Sequence, residues 1–225
     1  MCTVSFIKTD TGFCITSNRD EKITREKAIP PKAYLYQEKQ ITYPKDPKAG
    51  GTWFAHDSKN VMVLLNGANE KHVPKPSYRK SRGIILLDLI ASVQPLEEWK
   101  KIDLNEIEPF TIVFFSGEQL FELQWDEKEK RITKLDINLP HIWSSATLYN
   151  QAIRIERKKW FNEFIENHAI LSPQNLLAFH QFTESSNKDF GLQINRNNLL
   201  KTISITQTVI QNDSISIQYI DLYDS

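Results

Sequence analysis

The chain has 225 residues and a mass of 26.2 kDa, enough for one large domain or two small ones and for burial of roughly 70% of its unfolded surface. Its 28 basic and 28 acidic residues cancel, which excludes a nucleic-acid binder held by bulk charge, because such proteins need a basic excess to displace counterions. Two cysteines are too few for a disulfide-stapled secreted domain, and the first twenty residues carry Lys8, Asp10, Arg19 and Asp20 where an export leader would be apolar. The most apolar run, 84–91, is broken by Asp88 and falls far short of the roughly 20 residues that cross a bilayer. The expectation is a cytoplasmic protein with reduced thiols and no membrane span.

The chain opens as a hairpin. Residues 3–8 and 13–18 are short, alternating and rich in β-formers, with turn chemistry at Asp10-Thr11-Gly12 between them. A turn centred on Asp10 and Thr11 pairs residues whose numbers sum to about 21, which sets Cys14 against Ile7 or Lys8 and Cys2 against Arg19. The two cysteines are then roughly 17 Å apart, beyond disulfide reach. The polar stretch through Pro30, Pro31, Pro44 and Pro47 reads mostly as loop, with an edge strand over 32–37. Strands follow at 53–56 and 61–66, and the second is almost wholly apolar, as strands buried on both faces are.

Ser81 is an N-cap for a helix ending near Val93. Residues 110–115, 119–125 and 131–137 form a meander with turns at Gly117 and at the charged run 126–130. Asn150 caps a helix to about Asn167. Ile153, Trp160, Phe161, Phe164 and Ile165 make its apolar face, with Arg154, Arg157, Lys158 and Lys159 on a solvated one. Ser172-Pro173 starts a second helix, and strands over 201–210 and 214–222 close the chain around Gln211-Asn212-Asp213. Strands first, paired helices in the middle and a closing hairpin give an α+β sandwich, with helices outside two antiparallel sheets, as a single domain over 1–225.

Cys2 carries the sharpest chemistry. Methionine aminopeptidases accept a small second residue, and removal of Met1 leaves a cysteine with both a thiol and a free α-amino group. A thiol of pKa near 8.5 beside an amine of pKa about 7.7–8.0 is a nucleophile with a built-in general base, and N-terminal threonine provides the analogous arrangement. The hairpin brings Asn18-Arg19-Asp20-Glu21 opposite, where an aspartate can hold the amine and an arginine can stabilise the thiolate.

Met1-Cys2-Thr3, Asn18-Arg19-Asp20-Glu21, Arg25, Gly50-Gly51-Thr52-Trp53, Asn66 and Ser81-Arg82-Gly83 occur in that order over about the first ninety residues. This set resembles the NRDE-motif family, named for transport and Golgi organisation protein 2. That family in turn resembles the cysteine-type N-terminal nucleophile hydrolases, such as penicillin V acylase and bile salt hydrolase, whose fold is a four-layer αββα sandwich. The resemblance implies Cys2 as the nucleophile, flanked by Arg19 and Asp20. Asn66 is then a donor to the oxyanion hole, a role worth about 3–4 kcal/mol to a tetrahedral intermediate. Asn18, Glu21, Gly50, Gly51, Trp53 and Arg82 are the expected substrate-binding set, the glycines by letting backbone approach closely. Arg82, with Arg79 and Lys80, stands at a helix N-terminus suited to an anionic group. Two positions depart from the acylases: Trp143-Ser144-Ser145-Ala146 stands where they carry an asparagine, and Ser204-Ile205-Thr206 lacks the arginine of their Thr-Arg-Ser pattern.

The histidines at 56, 72, 141, 168 and 180 show no metal-ligand spacing, and there is neither a CxxC pair nor a phosphate-binding glycine loop. No metal or cofactor is expected, and the expected partner is a small-molecule substrate or ligand. Two readings follow from the resemblance: a hydrolase of non-peptide C–N bonds, or a non-catalytic carrier on the same scaffold. The carrier reading reflects the family's links to haem trafficking and acyl-lipid metabolism.

Overall fold

The computed structural model describes residues 3–212 and 214–224. Along the chain run β1 (Thr3–Thr9), β2 (Gly12–Lys22), β3 (Ile29–Tyr36), β4 (Lys39–Lys45), β5 (Phe54–His56) and β6 (Asn60–Asn66). Helices α1 (Arg82–Ala91) and α2 (Pro95–Lys101) follow, then β7 (Phe110–Ser116), β8 (Gln119–Trp125), β9 (Lys130–Leu135) and β10 (His141–Ser144). The chain ends with α3 (Gln151–Glu166), α4 (Pro173–Phe182), β11 (Asn195–Arg196), β12 (Leu200–Gln211) and β13 (Ser214–Asp221). These elements fall into two compact units, Met1–Arg25 with Ile137–Ser225, and Glu26–Asp136. Each unit holds one antiparallel sheet and two helices among the described residues, which is the expected α+β class.

In the unit formed by 26–136 the seven strands lie in chain order, β3 to β9. Central β6 and β7 are buried along almost their whole length, as their apolar runs require. Ser81 caps α1 as expected, its hydroxyl accepting from Gly83 N at 3.2 Å. Two elements depart from the sequence reading. Residues 39–45, read as loop, form β4 against β3, and Pro44 is tolerated beside a register irregularity between Ile29 and Lys32. Residues 95–101 form α2, opened by Pro95. Its C-terminal carbonyls are closed by Lys130 on β9, whose Nζ donates to the oxygens of Trp99, Lys100 and Ile102 at 3.0, 2.7 and 2.8 Å. A cation suits that end of a helix.

In the other unit the strand order is β10-β1-β2-β12-β11, with β13 also paired to β12. The opening hairpin has the expected register, with Thr3 paired to Asn18 and Ile7 to Cys14. Asn150 and Ser172 cap α3 and α4, accepting from Ile153 N and Asn175 N at 3.0 and 3.1 Å. Both helices cover one face of this sheet, where Ile7 and Cys14 pack with Phe161, Phe164, Leu176 and Phe179. Short β10 and β11 carry too little pattern to be seen in sequence. Arg157, expected on a solvated helix face with its basic neighbours, is instead fully buried, while Lys158 and Lys159 are exposed. No helix among the described residues is long and apolar enough to cross a membrane.

Candidate functional site

The Asn18-Arg19-Asp20-Glu21 segment is strand, not loop. It continues β2, and Asn18, Arg19 and Asp20 are all buried. Side chains alternate across a strand, so Asn18 and Asp20 face α3 and α4 together with Thr3 and Ser5, while Arg19 goes to the opposite face beside Ser17 and Ser204. The pairing of β12 with β2 shifts at this point: Thr202 opposes Asp20 and Ser204 opposes Arg19, leaving Ile203 as the extra residue of a bulge. Such bulges re-aim side chains next to functional sites. Glu21 is half-buried and accepts from Lys22 N at 2.9 Å.

Asp20 is held by donors on both oxygens. Tyr149 Oη donates to Oδ2 at 2.7 Å and Thr202 Oγ1 to Oδ1 at 2.5 Å. Thr202 Oγ1 is itself oriented by accepting from Ile194 N at 2.9 Å. A carboxylate with 2% exposure needs such partners to remain charged at low cost.

Asn18 spends its amide internally. Nδ2 donates to the carbonyls of His180 and Leu192 at 3.2 and 2.6 Å, which leaves Oδ1 to accept from His180 Nδ1 at 2.8 Å. His180 Nε2 is then the acceptor for the Ser5 hydroxyl at 2.6 Å. The resulting Ser-His-Asn chain is fully buried, and burial, reinforced by the Arg157 charge, pushes the imidazole pKa down to about 3. A neutral histidine with both nitrogens engaged ties β1 and β2 to α4. It is not poised to take up a proton near neutrality.

Arg157 supplies the other tie. Its guanidinium carbon lies 3.6 Å from the centre of the Tyr149 ring, and it donates to Thr3 Oγ1, to Phe190 O and to Gly191 O. The stacked Tyr149–Arg157 pair therefore contacts both Asp20 on β2 and Thr3 on β1. Sequence reasoning missed Tyr149, Arg157, His180 and Thr202. One signal was present for Arg157, which sits four residues after Ile153 and four before Phe161, inside the apolar stripe.

The remaining expected residues belong to the unit formed by 26–136. Asn66 ends β6 opposite Phe110, and the turn after it is fixed by Gly67 N donating to Pro109 O at 2.9 Å and Thr111 Oγ1 donating to Gly67 O at 3.0 Å. Gly51 lets backbone meet the start of α1: a Cβ there would lie 2.6 Å from Gly83 C, and one on Gly83 would lie 2.5 Å from Thr52 O. Trp53 is buried, and its carbonyl accepts from Leu64 N. Arg82 donates to Pro109 O and pairs with Glu108 at 2.8 Å, Lys80 pairs with Asp88 at 2.5 Å, and Arg79 with Asp103 at 3.1 Å. The basic cluster thus has acidic partners of its own. Gly50 adopts a left-handed φ of 70° after the Asp46 turn. Cys2 lies outside the described residues. Cys14 is buried, and burial pushes its thiol pKa up to about 12. Among the described residues no group of histidine, cysteine, aspartate and glutamate is placed to hold a metal ion.

A family model described as Transport and Golgi organisation 2 matches residues 1–223. Among solved structures, the chain is similar to a variant of conjugated bile acid hydrolase from Clostridium perfringens, with a TM-score of 0.49 at 10% identity over 100% of this chain and 93% of that one. It is also similar to Anbu from Hyphomicrobium sp. strain MC1, with a TM-score of 0.40 at 9% identity over 98% of this chain and 87% of that one. No curated protein sequence matches it.

Proposed function

Since the chain belongs to the Transport and Golgi organisation 2 family, we propose that it is an N-terminal-cysteine amidohydrolase-like protein of the cytoplasm, acting as one domain over 1–225. Its substrate is a small molecule with an amide or related acyl carbon. Met1 is removed, and the α-amine of Cys2 takes the thiol proton. The sulfur attacks the acyl carbon, and the oxyanion that forms is held by the Asn66 amide. Collapse of the intermediate breaks the C–N bond as the ammonium returns its proton to the leaving nitrogen. Water, deprotonated by the same amine, then hydrolyses the thioester and restores the thiol. Asp20 orients the ammonium and Arg19 favours the thiolate, while Asn18, expected as a substrate-binding residue, instead anchors the strand that carries them through its bonds to His180 and Leu192. Glu21, Gly50, Gly51, Trp53 and Arg82 remain the proposed substrate-binding residues.

One observation carries the reading. Asp20 is a buried carboxylate with both oxygens oriented by donors. It stands two residues beyond Asn18, the partner of Thr3, which follows Cys2 in sequence. The test is intact-mass measurement followed by assay against a panel of acyl amides. The expected outcome is loss of Met1 and hydrolysis abolished by Cys2→Ala. Retained Met1, or turnover that survives Cys2→Ala, overturns the proposal, and a saturable haem Soret shift in an inert protein moves the function to a carrier.

A further inference from the structure

The helix layer of the unit formed by 1–25 and 137–225 carries a groove on which no proposed function draws. It has a volume of about 400 Å³ and lies between the second half of α3 and the end of α4. Trp160, Phe164, Phe179 and Phe182 supply its aromatic surface, and Glu163 and Glu184 its charge. The Phe164 and Phe179 rings pack 4.9 Å apart as a floor. Phe182 is 66% exposed, which leaves much of its ring open to solvent at the groove. None of the ten residues lining the groove is lysine or arginine. The nearest described cation partner of Glu163, Lys159, stands off at 3.9 Å. His168 also lines the groove, and its Nδ1 donates to Phe164 O.

Three attractions for positive charge converge here. Aromatic faces present the negative end of their quadrupole. The two carboxylates add full charges. The groove also includes Phe182, Thr183 and Glu184, at the C-terminal end of α4 where the helix dipole is negative. A purely apolar ligand would gain nothing from the glutamates, and an anion would be repelled by them. We infer that this groove binds a small organic cation with an apolar substituent shell, of the quaternary-ammonium class, seated on Phe182 and Trp160 with Glu163 and Glu184 as counter-charges.

The test uses the full-length protein and two probes of nearly identical shape, choline and its uncharged isostere 3,3-dimethylbutan-1-ol, followed by nuclear magnetic resonance. Choline is expected to give saturable shifts at the Trp160 indole and at the Thr183 and Glu184 amides, with affinity at least about fivefold above the alcohol. Phe182→Ala is expected to weaken choline about fivefold, and the Glu163→Gln, Glu184→Gln pair to narrow the gap between the two probes. Equal affinity of the two probes for the wild-type protein, saturation at other residues only, or no saturable shift each overturns the inference without reliance on any variant.

Discussion

Tyr149 donates its phenolic hydrogen to Asp20 Oδ2 across 2.7 Å, although 129 residues separate the two in the chain. The Arg157 guanidinium over the same ring draws electron density from the phenol and makes it a better donor to a carboxylate. Tyr149→Phe keeps the stack and deletes the hydrogen bond alone. It is expected to lower the unfolding free energy by about 1.5–3 kcal/mol, the usual range for a bond to a charged group, measured by urea denaturation. If the hydrolase reading holds, the same variant also lowers turnover, because Asp20 loses an orienting donor.

Removal of Arg157 is more damaging. Arg157→Met leaves Thr3 Oγ1 and the carbonyls of Phe190 and Gly191 without this donor, and at about 1–3 kcal/mol for each buried acceptor left unsatisfied a loss of about 3 kcal/mol or more is expected. Arg157→Lys restores the charge but neither the planar stack on Tyr149 nor the forked donation, so it recovers only part of that loss. Because the Arg157 charge helps to hold down the His180 pKa, that pKa is expected to rise in the Met variant, followed by imidazole resonances.

His180 makes stability depend on acid. In the unfolded chain the imidazole binds a proton below about 6.5, whereas in the folded chain it does so only near 3. Between these values the unfolded state carries the extra proton. Stability from this group is therefore fully present above about 6.5 and falls by about 1.4 kcal/mol per pH unit below it. Denaturation midpoints across that window are expected to follow the slope, and His180→Gln is expected to flatten it at a lower overall stability.

Cys14 should be inert. A buried thiol with its pKa pushed up to about 12 has almost no thiolate at pH 8. A Cys2→Ala variant is expected to show no thiol reactive to Ellman's reagent while folded and one after unfolding in guanidinium. Reaction of the folded variant contradicts the burial of Cys14.

Close backbone approach makes Gly51 and Gly83 irreplaceable in a different way. Either alanine places its Cβ within 2.6 Å of backbone atoms of the opposite segment. Gly83→Ala, despite its better helix propensity, is expected to destabilise by about 1–3 kcal/mol, read as a lowered thermal midpoint.

Local chemistry made much of this fold legible in the sequence. The Asp10-Thr11-Gly12 turn set the register that pairs Thr3 with Asn18, and Ser81, Asn150 and Ser172 marked three helix starts through side-chain caps. β4 was hidden by Pro44, and β10 has four residues whose strand character comes from pairing with β1. The environment of the site was less legible for the same physical reason. Asn18 and Asp20 stood out as motif residues, but their partners His180, Tyr149 and Thr202 lie 129 to 182 positions away. For Arg157 the local sign is its place in the apolar stripe, four residues from both Ile153 and Phe161, a spacing that Lys158 beside it does not share.

The alternation of β2 has one more consequence. Asn18 and Asp20 are bolted to the helix side by five hydrogen bonds between their side chains and His180, Leu192, Tyr149 and Thr202. Arg19 sits between them and points the other way, so its starting position is set by neighbours it never touches. A change in α4 that moves His180, or one before α3 that moves Tyr149, is transmitted through two peptide units and reappears as an error in the aim of Arg19. Tolerance to substitution on the outer helices is thereby limited by the accuracy required on the sheet's far side.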